Sequence, residues 1–183
     1  MTIGAEPVLV VDLDGTLIAA DTLAISVRRL TRQRPWTLAA LPIQLLRGRA
    51  HLKHWVARRV RLAPATLPWR HNVVAFLRAE HERGRRIILA TAADASIAAA
   101  VAEWLGVFDA VIASDGARNA KGHGKLAMIR DLLGDQEFDY VGDSTADLPL
   151  FAAARGCWLV APSPALLTTA RETARVAGVF DDA

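Results

Sequence analysis

The chain has 183 residues, 52% of them apolar, and a formal net charge of +3. That is one ordinary domain with ample material for a core and room for a small insert. Its single cysteine, Cys157, excludes an internal disulfide and fits a reducing compartment; no basic-then-apolar leader and no apolar run of membrane-spanning length is visible, so a soluble, cytoplasmic protein is expected.

The first element is the run Val8–Val11, a buried apolar strand that stops at Asp12-Leu13-Asp14-Gly15-Thr16. In extended backbone Asp12 and Asp14 share one side, while Leu13 points the other way into a core. Gly15 lets the chain turn where a side chain would obstruct it. By itself DLDGT also reads as a plain strand end with a turn. Two carboxylates at a buried strand end, however, repel each other and lose hydration. A divalent cation would offset that cost, as would chemistry that needs one acid charged and its neighbour protonated.

About fifty residues without a strand signal follow, divided by Pro35, Pro42, Pro64 and Pro68. The pattern predicts helices over 21–33, 36–47 and 49–61, with Pro42 kinking or shortening the second. From Thr22 to Ala79 there is no Asp or Glu, against twelve Lys or Arg. Such a one-signed insert suggests an anionic partner: a substrate, a lipid surface or nucleic acid. No nucleic-acid motif accompanies it, so nucleic acid is not expected. His51 and His54 lie three apart without an evident third ligand and read as a solvated or partly buried pair. Trp36, Trp55 and Trp69 read as core of this helical segment rather than as membrane-interface contacts.

Beyond it, helices at about 71–83, 95–105, 123–133, 146–154 and 164–176 alternate with apolar runs at Arg86–Ala90, Ala110–Ala113, Phe138–Val141 and Cys157–Val160. Near-continuous apolar strands alternating with amphipathic helices predict a doubly wound, Rossmann-like α/β layer of about five parallel strands. Residues 1–20 and 71–183 form the core in this reading, and residues 21–70 a small all-helical cap inserted after the first strand. In an open parallel sheet ligands bind beyond the strands' carboxyl ends, where the insert would cover the site.

Four places near strand ends carry chemistry: Asp12-x-Asp14-x-Thr16; Thr91; Asn119-Ala120-Lys121-Gly122-His123-Gly124-Lys125; and Gly142-Asp143-Ser144-Thr145-Ala146-Asp147. The third is not a P-loop, because Asn119 stands where its first glycine belongs and Leu126 replaces Ser/Thr. His123 reads as a polar residue at a helix start.

This set and its order resemble the haloacid dehalogenase-like (HAD) superfamily, mostly phosphatases acting through an aspartyl-phosphate. The resemblance implies Asp12 as nucleophile and Asp14 as the acid that protonates the leaving oxygen, then as the base that activates water. It implies Thr16, Thr91 and Ala92 around the phosphoryl oxygens. Lys121, in preference to Lys125, would neutralise Asp12 and phosphate. A Mg²⁺ ion would be held by the Asp12 carboxylate, the Asp14 carbonyl and Asp143, with Asp147 supporting the metal or the lysine from behind, beside Ser144. Asp14 favours a phosphatase over a dehalogenase, since halide departs without a proton.

The insert Leu41–Ala50 is similar to that of HAD domains associated with 4-hydroxybenzoate-type polyprenyl prenyltransferases. So are Leu89–Asp94, Ala113-Ser114-Asp115-Gly116 and Asp143–Pro149. This likeness implies a small or prenyl-linked phosphorylated metabolite as substrate. It also implies a membrane prenyltransferase or an anionic lipid surface as a partner of the basic cap, at the inner face of the membrane. A non-catalytic module of the same fold, docked on such a partner, is the alternative.

Overall fold

The computed structural model describes residues 6–115 and 120–181. Strand β1 (Val8–Val11) sits inside a six-stranded sheet. Its Leu9 and Val11 enter one apolar cluster and its Val8 and Val10 another. A strand buried on both faces by alternate residues is why the run is apolar without a break. The helical segment follows: α1 (Thr22–Gln33), a 3₁₀ turn over Pro35–Ala40, α2 (Leu41–Leu46), α3 (Arg49–Ala57) and a 3₁₀ turn over Pro64–Thr66.

The remaining elements are α4 (His71–Glu82), β2 (Ile87–Asp94), α5 (Ala95–Leu105), β3 (Ala110–Ser114), α6 (His123–Leu133) and β4 (Phe138–Gly142), then a 3₁₀ turn over Thr145–Asp147, α7 (Leu148–Ala153), β5 (Cys157–Val160), α8 (Pro164–Thr173) and β6 (Val176–Phe180). The strand order is β3-β2-β1-β4-β5-β6, every pair parallel. This is the doubly wound α/β class expected. The chain leaves β1 first toward β2 and β3, then crosses back to β4, so the sheet's direction of winding reverses between β1 and β4. That reversal opens a crevice at their carboxyl ends.

The structure departs from the sequence expectation in three places. The helix over 36–47 is split, because Pro42 sits in the first turn of α2, where its missing N–H costs nothing. Strand β2 runs on to Asp94, so Thr91 lies within it rather than after it. The expected last helix ends early, at Thr173, and a sixth strand, β6, follows from Val176. It is a half-exposed edge strand whose Gly178 leaves room for Trp158, since a Cβ there would lie 2.8 Å from the indole.

The helical segment has its own small core of Leu30, Val56 and Val60, with Leu41 and Trp55 packed on it. Its two stems are joined at the sheet: Ala19 N donates to Pro68 O at 2.8 Å and Arg70 N to Leu17 O at 2.9 Å. Helix α3 is also tied to the end of β2. Lys53 Nζ donates to the Ala92 carbonyl at 2.6 Å, and His54 Nδ1 lies 2.9 Å from Asp94 Oδ2. The two histidines are thus structural, with His51 Nε2 2.9 Å from Gln44 Oε1. Trp36 is not part of this core, being 72% exposed. Among the described residues no helix is long and apolar enough to cross a membrane.

At the opposite end of the sheet, buried Arg85 holds three segments together. Its Nε donates to Pro7 O at 2.9 Å, Nη1 to Glu80 at 2.7 Å and Nη2 to Asp139. Arg85→Met would remove the buried cation shared by Glu80 and Asp139 and leave them only the largely exposed Arg83 and Arg155, so a loss of about 3 kcal/mol is expected. Chemical denaturation measures it, and an unchanged midpoint would show that the network contributes nothing.

Candidate active site

The crevice between β1 and β4 is a cleft of about 420 Å³, within the range of ordinary small-ligand sites. Asp12, Asp14, Lys121, Lys125, Asp143, Ser144 and Asp147 all line it, as do Lys53 and Arg70 from the helical segment and its stem. Apart from Asp21, its remaining walls are small: Gly15, Ala19, Ala20, Ala92, Ala146, Val160 and Ala161.

Asp12 continues the β1 side that faces α6, and there it meets Lys125, with Nζ 2.9 Å from Oδ1. Lys125 is buried and also reaches Tyr140 Oη at 3.0 Å and Asp147 Oδ1 at 3.4 Å. Asp147 is held from every side. Tyr140 Oη donates to its Oδ1 at 2.9 Å, and the Ser144 amide and hydroxyl donate to its Oδ2 at 3.2 and 2.9 Å. Thr16 Oγ1 donates to Asp143 Oδ1 at 3.1 Å. Gly15 takes φ +79°, and a Cβ on it would stand 2.1 Å from Asp143 Oδ2. Only glycine lets the loop after β1 pass this close to the β4 carboxylate.

Asp14 is turned differently. Its Oδ1 accepts from the Thr22 amide at 2.8 Å and its Oδ2 from the Thr22 hydroxyl at 3.2 Å. The first residue of the helical segment therefore orients this carboxyl. Arg70 Nε donates to the Gly15 carbonyl at 3.0 Å, so the last residue of the stem braces the same loop.

Three sequence expectations meet a different geometry. The lysine against Asp12 is Lys125, from the first turn of α6. Lys121 stands before that helix, exposed at the cleft wall. Thr16 is buried, and its hydroxyl faces Asp143 rather than open cleft. Thr91 is buried too, its Oγ1 accepting from the Ala93 amide at 3.0 Å, whereas Ala92 lines the cleft. Asn119 of the third motif lies outside the described residues. Sequence reasoning overlooked Thr22, Arg70 and Tyr140. Of these, only Arg70 carried a signal, as a cation at the boundary between insert and core.

Around Asp12 the carboxylates outnumber the cations: Lys125 alone is bonded to Asp12 and Asp147, with Asp143 beside them. Carboxylate oxygens of Asp12, Asp143 and Asp147 lie within 4.8 Å of one another. Burial, reinforced by the neighbouring acids, pushes Asp12 up to about 7 despite Lys125. Burial and Asp147 push Asp143 up to about 6. Asp14 is raised by burial, with the Thr22 bonds opposing. Burial alone would lower Lys125, but Asp12 and Asp147 outweigh it and its pKa is raised. Desolvated carboxylate oxygens in excess over nearby cations are the donor set of a hard divalent cation such as Mg²⁺. Asp12 and Asp143 have oxygens to offer it, whereas those of Asp147 are already engaged.

The sign of the pH dependence follows. Without a cation, the folded state holds protons on Asp12 and Asp143 that the unfolded state, at 3.8, has released. Their contribution to stability is complete below about pH 4 and is lost as pH rises through about 6–7. A divalent cation binds the charged form. Mg²⁺ is therefore expected to raise Tm by several degrees at about pH 8 and little at about pH 5. Equal shifts at both pH values, read by thermal unfolding, would contradict this electrostatic account.

A model of the haloacid dehalogenase-like hydrolases matches residues 9–152. The uncharacterized protein y4nM of Sinorhizobium fredii (strain NBRC 101917 / NGR234) is 37% identical over 152 residues. That match covers 83% of this chain but 29% of that protein, so the chain spans under a third of the relative's length. A protein of unknown function from Bordetella pertussis Tohama I superimposes with a TM-score of 0.75 at 19% identity, covering 97% of this chain and 99% of that one. A substrate-bound phosphoserine phosphatase superimposes with a TM-score of 0.65 at 16% identity, covering 96% and 93%. At these identities the solved structures speak to the fold.

Proposed function

Since the chain belongs to the haloacid dehalogenase-like hydrolase family, we propose that it is a phosphomonoesterase that works through a phosphorylated Asp12. The observation that carries this reading is the pairing of buried Asp12 with Lys125 at 2.9 Å, beside a second carboxyl, Asp14, that is oriented separately by Thr22. Two acids in different surroundings can take different roles.

An Asp12 oxygen attacks phosphorus, and the bond from phosphorus to the leaving oxygen breaks as Asp14 gives that oxygen its proton. Asp14, now charged, takes a proton from water that attacks the aspartyl-phosphate. Phosphate leaves, Asp12 is restored and Asp14 is again protonated. Burial shifts Asp14 upward, the direction a proton-donating acid needs. Lys125 offsets the negative charge that Asp12 and phosphate bring together. A Mg²⁺ ion held by Asp12, Asp143 and the Asp14 main chain would supply further charge neutralisation at the phosphoryl oxygens. Tyr140 and Asp147 fix Lys125, and Thr16 fixes Asp143.

In this reading residues 21–70 are a cap on a core formed by 1–20 and 71–183. The cleft walls favour a small anionic substrate. A prenyl chain on the leaving group, as the sequence likeness implies, would lie outside a cleft lined largely by charged residues. Every position of the carboxylate–lysine set is filled, which favours turnover over a non-catalytic docking module. Phosphate release from an aryl phosphate and from a panel of phosphorylated metabolites, prenylated phosphosugars among them, tests the reading. Release that depends on Mg²⁺ and stops with a chelator is expected. No release from any of them with Mg²⁺ present would overturn it.

A further inference from the structure

Beyond Leu41, helix α2 turns its apolar side chains outward. Its polar residue, Gln44, is buried and bonded to His51, whereas Ile43, Leu45 and Leu46 are 55%, 52% and 88% exposed. Trp36, on the 3₁₀ turn just before it, faces solvent as well. These four make up half of the eight large apolar side chains exposed among the described residues, and they fall within eleven positions; the other four are scattered over the chain. A cluster of this kind marks an interaction surface, whereas single exposed apolar residues do not.

The surroundings of the patch identify what it meets. Exposed Arg32 and Arg34 precede it, exposed Arg47 follows it, and no acid occurs between Thr22 and Ala79. A second copy of the chain would bring arginine against arginine, which opposes self-association. An indole and aliphatic tips on two consecutive short elements, bracketed by arginines, suit a layer that is apolar inside and negatively charged at its face.

We propose that the segment Pro35–Arg47 anchors the helical insert on an anionic lipid bilayer. Trp36, Ile43, Leu45 and Leu46 enter the acyl boundary, and Arg32, Arg34 and Arg47 meet the headgroup phosphates. The inference is independent of the phosphatase reading, because binding is measured without turnover.

Co-sedimentation of the full chain with phosphatidylcholine vesicles, with and without phosphatidylglycerol, tests it at low and high ionic strength. Binding is expected only with phosphatidylglycerol, weakening as salt rises. The exposed pairs Ile43→Ser/Leu46→Ser and Arg34→Glu/Arg47→Glu should each lower partitioning about tenfold or more. Their Tm and phosphate release should match the wild type. A vesicle-dependent blue shift in tryptophan emission should disappear in Trp36→Phe. The proposal is overturned if the wild type stays in the supernatant at low salt, or if either double variant partitions as the wild type does. It is also overturned if the Ile43→Ser/Leu46→Ser pair abolishes self-association or the capture of an acidic protein while vesicle binding persists.

Discussion

Asp12→Asn is expected to abolish turnover, by at least about 10⁴-fold in kcat, without unfolding the protein. The amide has no charge to direct at phosphorus and cannot form the acyl phosphate. Stability should move the other way. Asp12 is buried and shares its corner with Asp143 and Asp147, which is why its pKa stands at about 7. Removing the charge relieves that repulsion, and Lys125 keeps Asp147 and Tyr140 as partners. Metal-free Asp12→Asn should therefore melt at or above the wild-type temperature near neutral pH, and Mg²⁺ should stabilise it less. A variant that lost activity only because it had unfolded would melt lower, so paired kinetics and thermal unfolding separate the two explanations.

Lys125→Met is the second large effect, and it discriminates between two lysines. Methionine matches the length of the apolar stem but leaves Asp12 and Asp147 without their cation. A loss of about 10²–10³-fold in kcat/KM is expected from the missing charge at the transition state. A stability loss of about 3–5 kcal/mol is expected from the uncompensated buried carboxylates. Lys121→Met, exposed at the cleft wall, should cost about tenfold or less, mainly in KM, and leave Tm unchanged. If Lys121→Met proved the more damaging, the geometry around Asp12 would not be the working one.

These contrasts follow from what a linear sequence can and cannot encode. Strand β1 was readable because both its faces are buried, which forces an unbroken apolar run. The Asp12–Asp14 spacing was readable because alternation in extended chain is a local rule. The need for Gly15 was visible as a turn, but its cause, the Asp143 carboxylate 128 residues away in sequence, is a tertiary contact. The choice between Lys121 and Lys125 depended on where α6 begins. Two residues of turn precede it, and only a lysine inside the first turn is carried inward to Asp12. Edge strand β6 escaped notice because its half-exposed pattern and Gly178 lack the continuous apolar signature of the inner strands.

The insert shows the same division. Its one-signed charge is a property of composition and was plain, as were the prolines that divide it. That Gln44 faces inward and Leu46 outward reverses the usual helix pattern, and only packing reveals it. The stem contacts, Asp14 with Thr22 and Arg70 with Gly15, join the insert to the loop that carries both leading carboxylates. A movement of the insert at Thr22 is therefore transmitted directly to Asp14.

The most direct test is mass spectrometry of the Asp14→Asn variant, rapidly quenched in acid after mixing with Mg²⁺ and an aryl phosphate. A good leaving group needs little protonation, so the first displacement should proceed while hydrolysis of the adduct stalls. The account predicts one phosphoryl group on the peptide that contains Asp12. Phosphate released at the wild-type rate, with that peptide unmodified at every quench time, would contradict it.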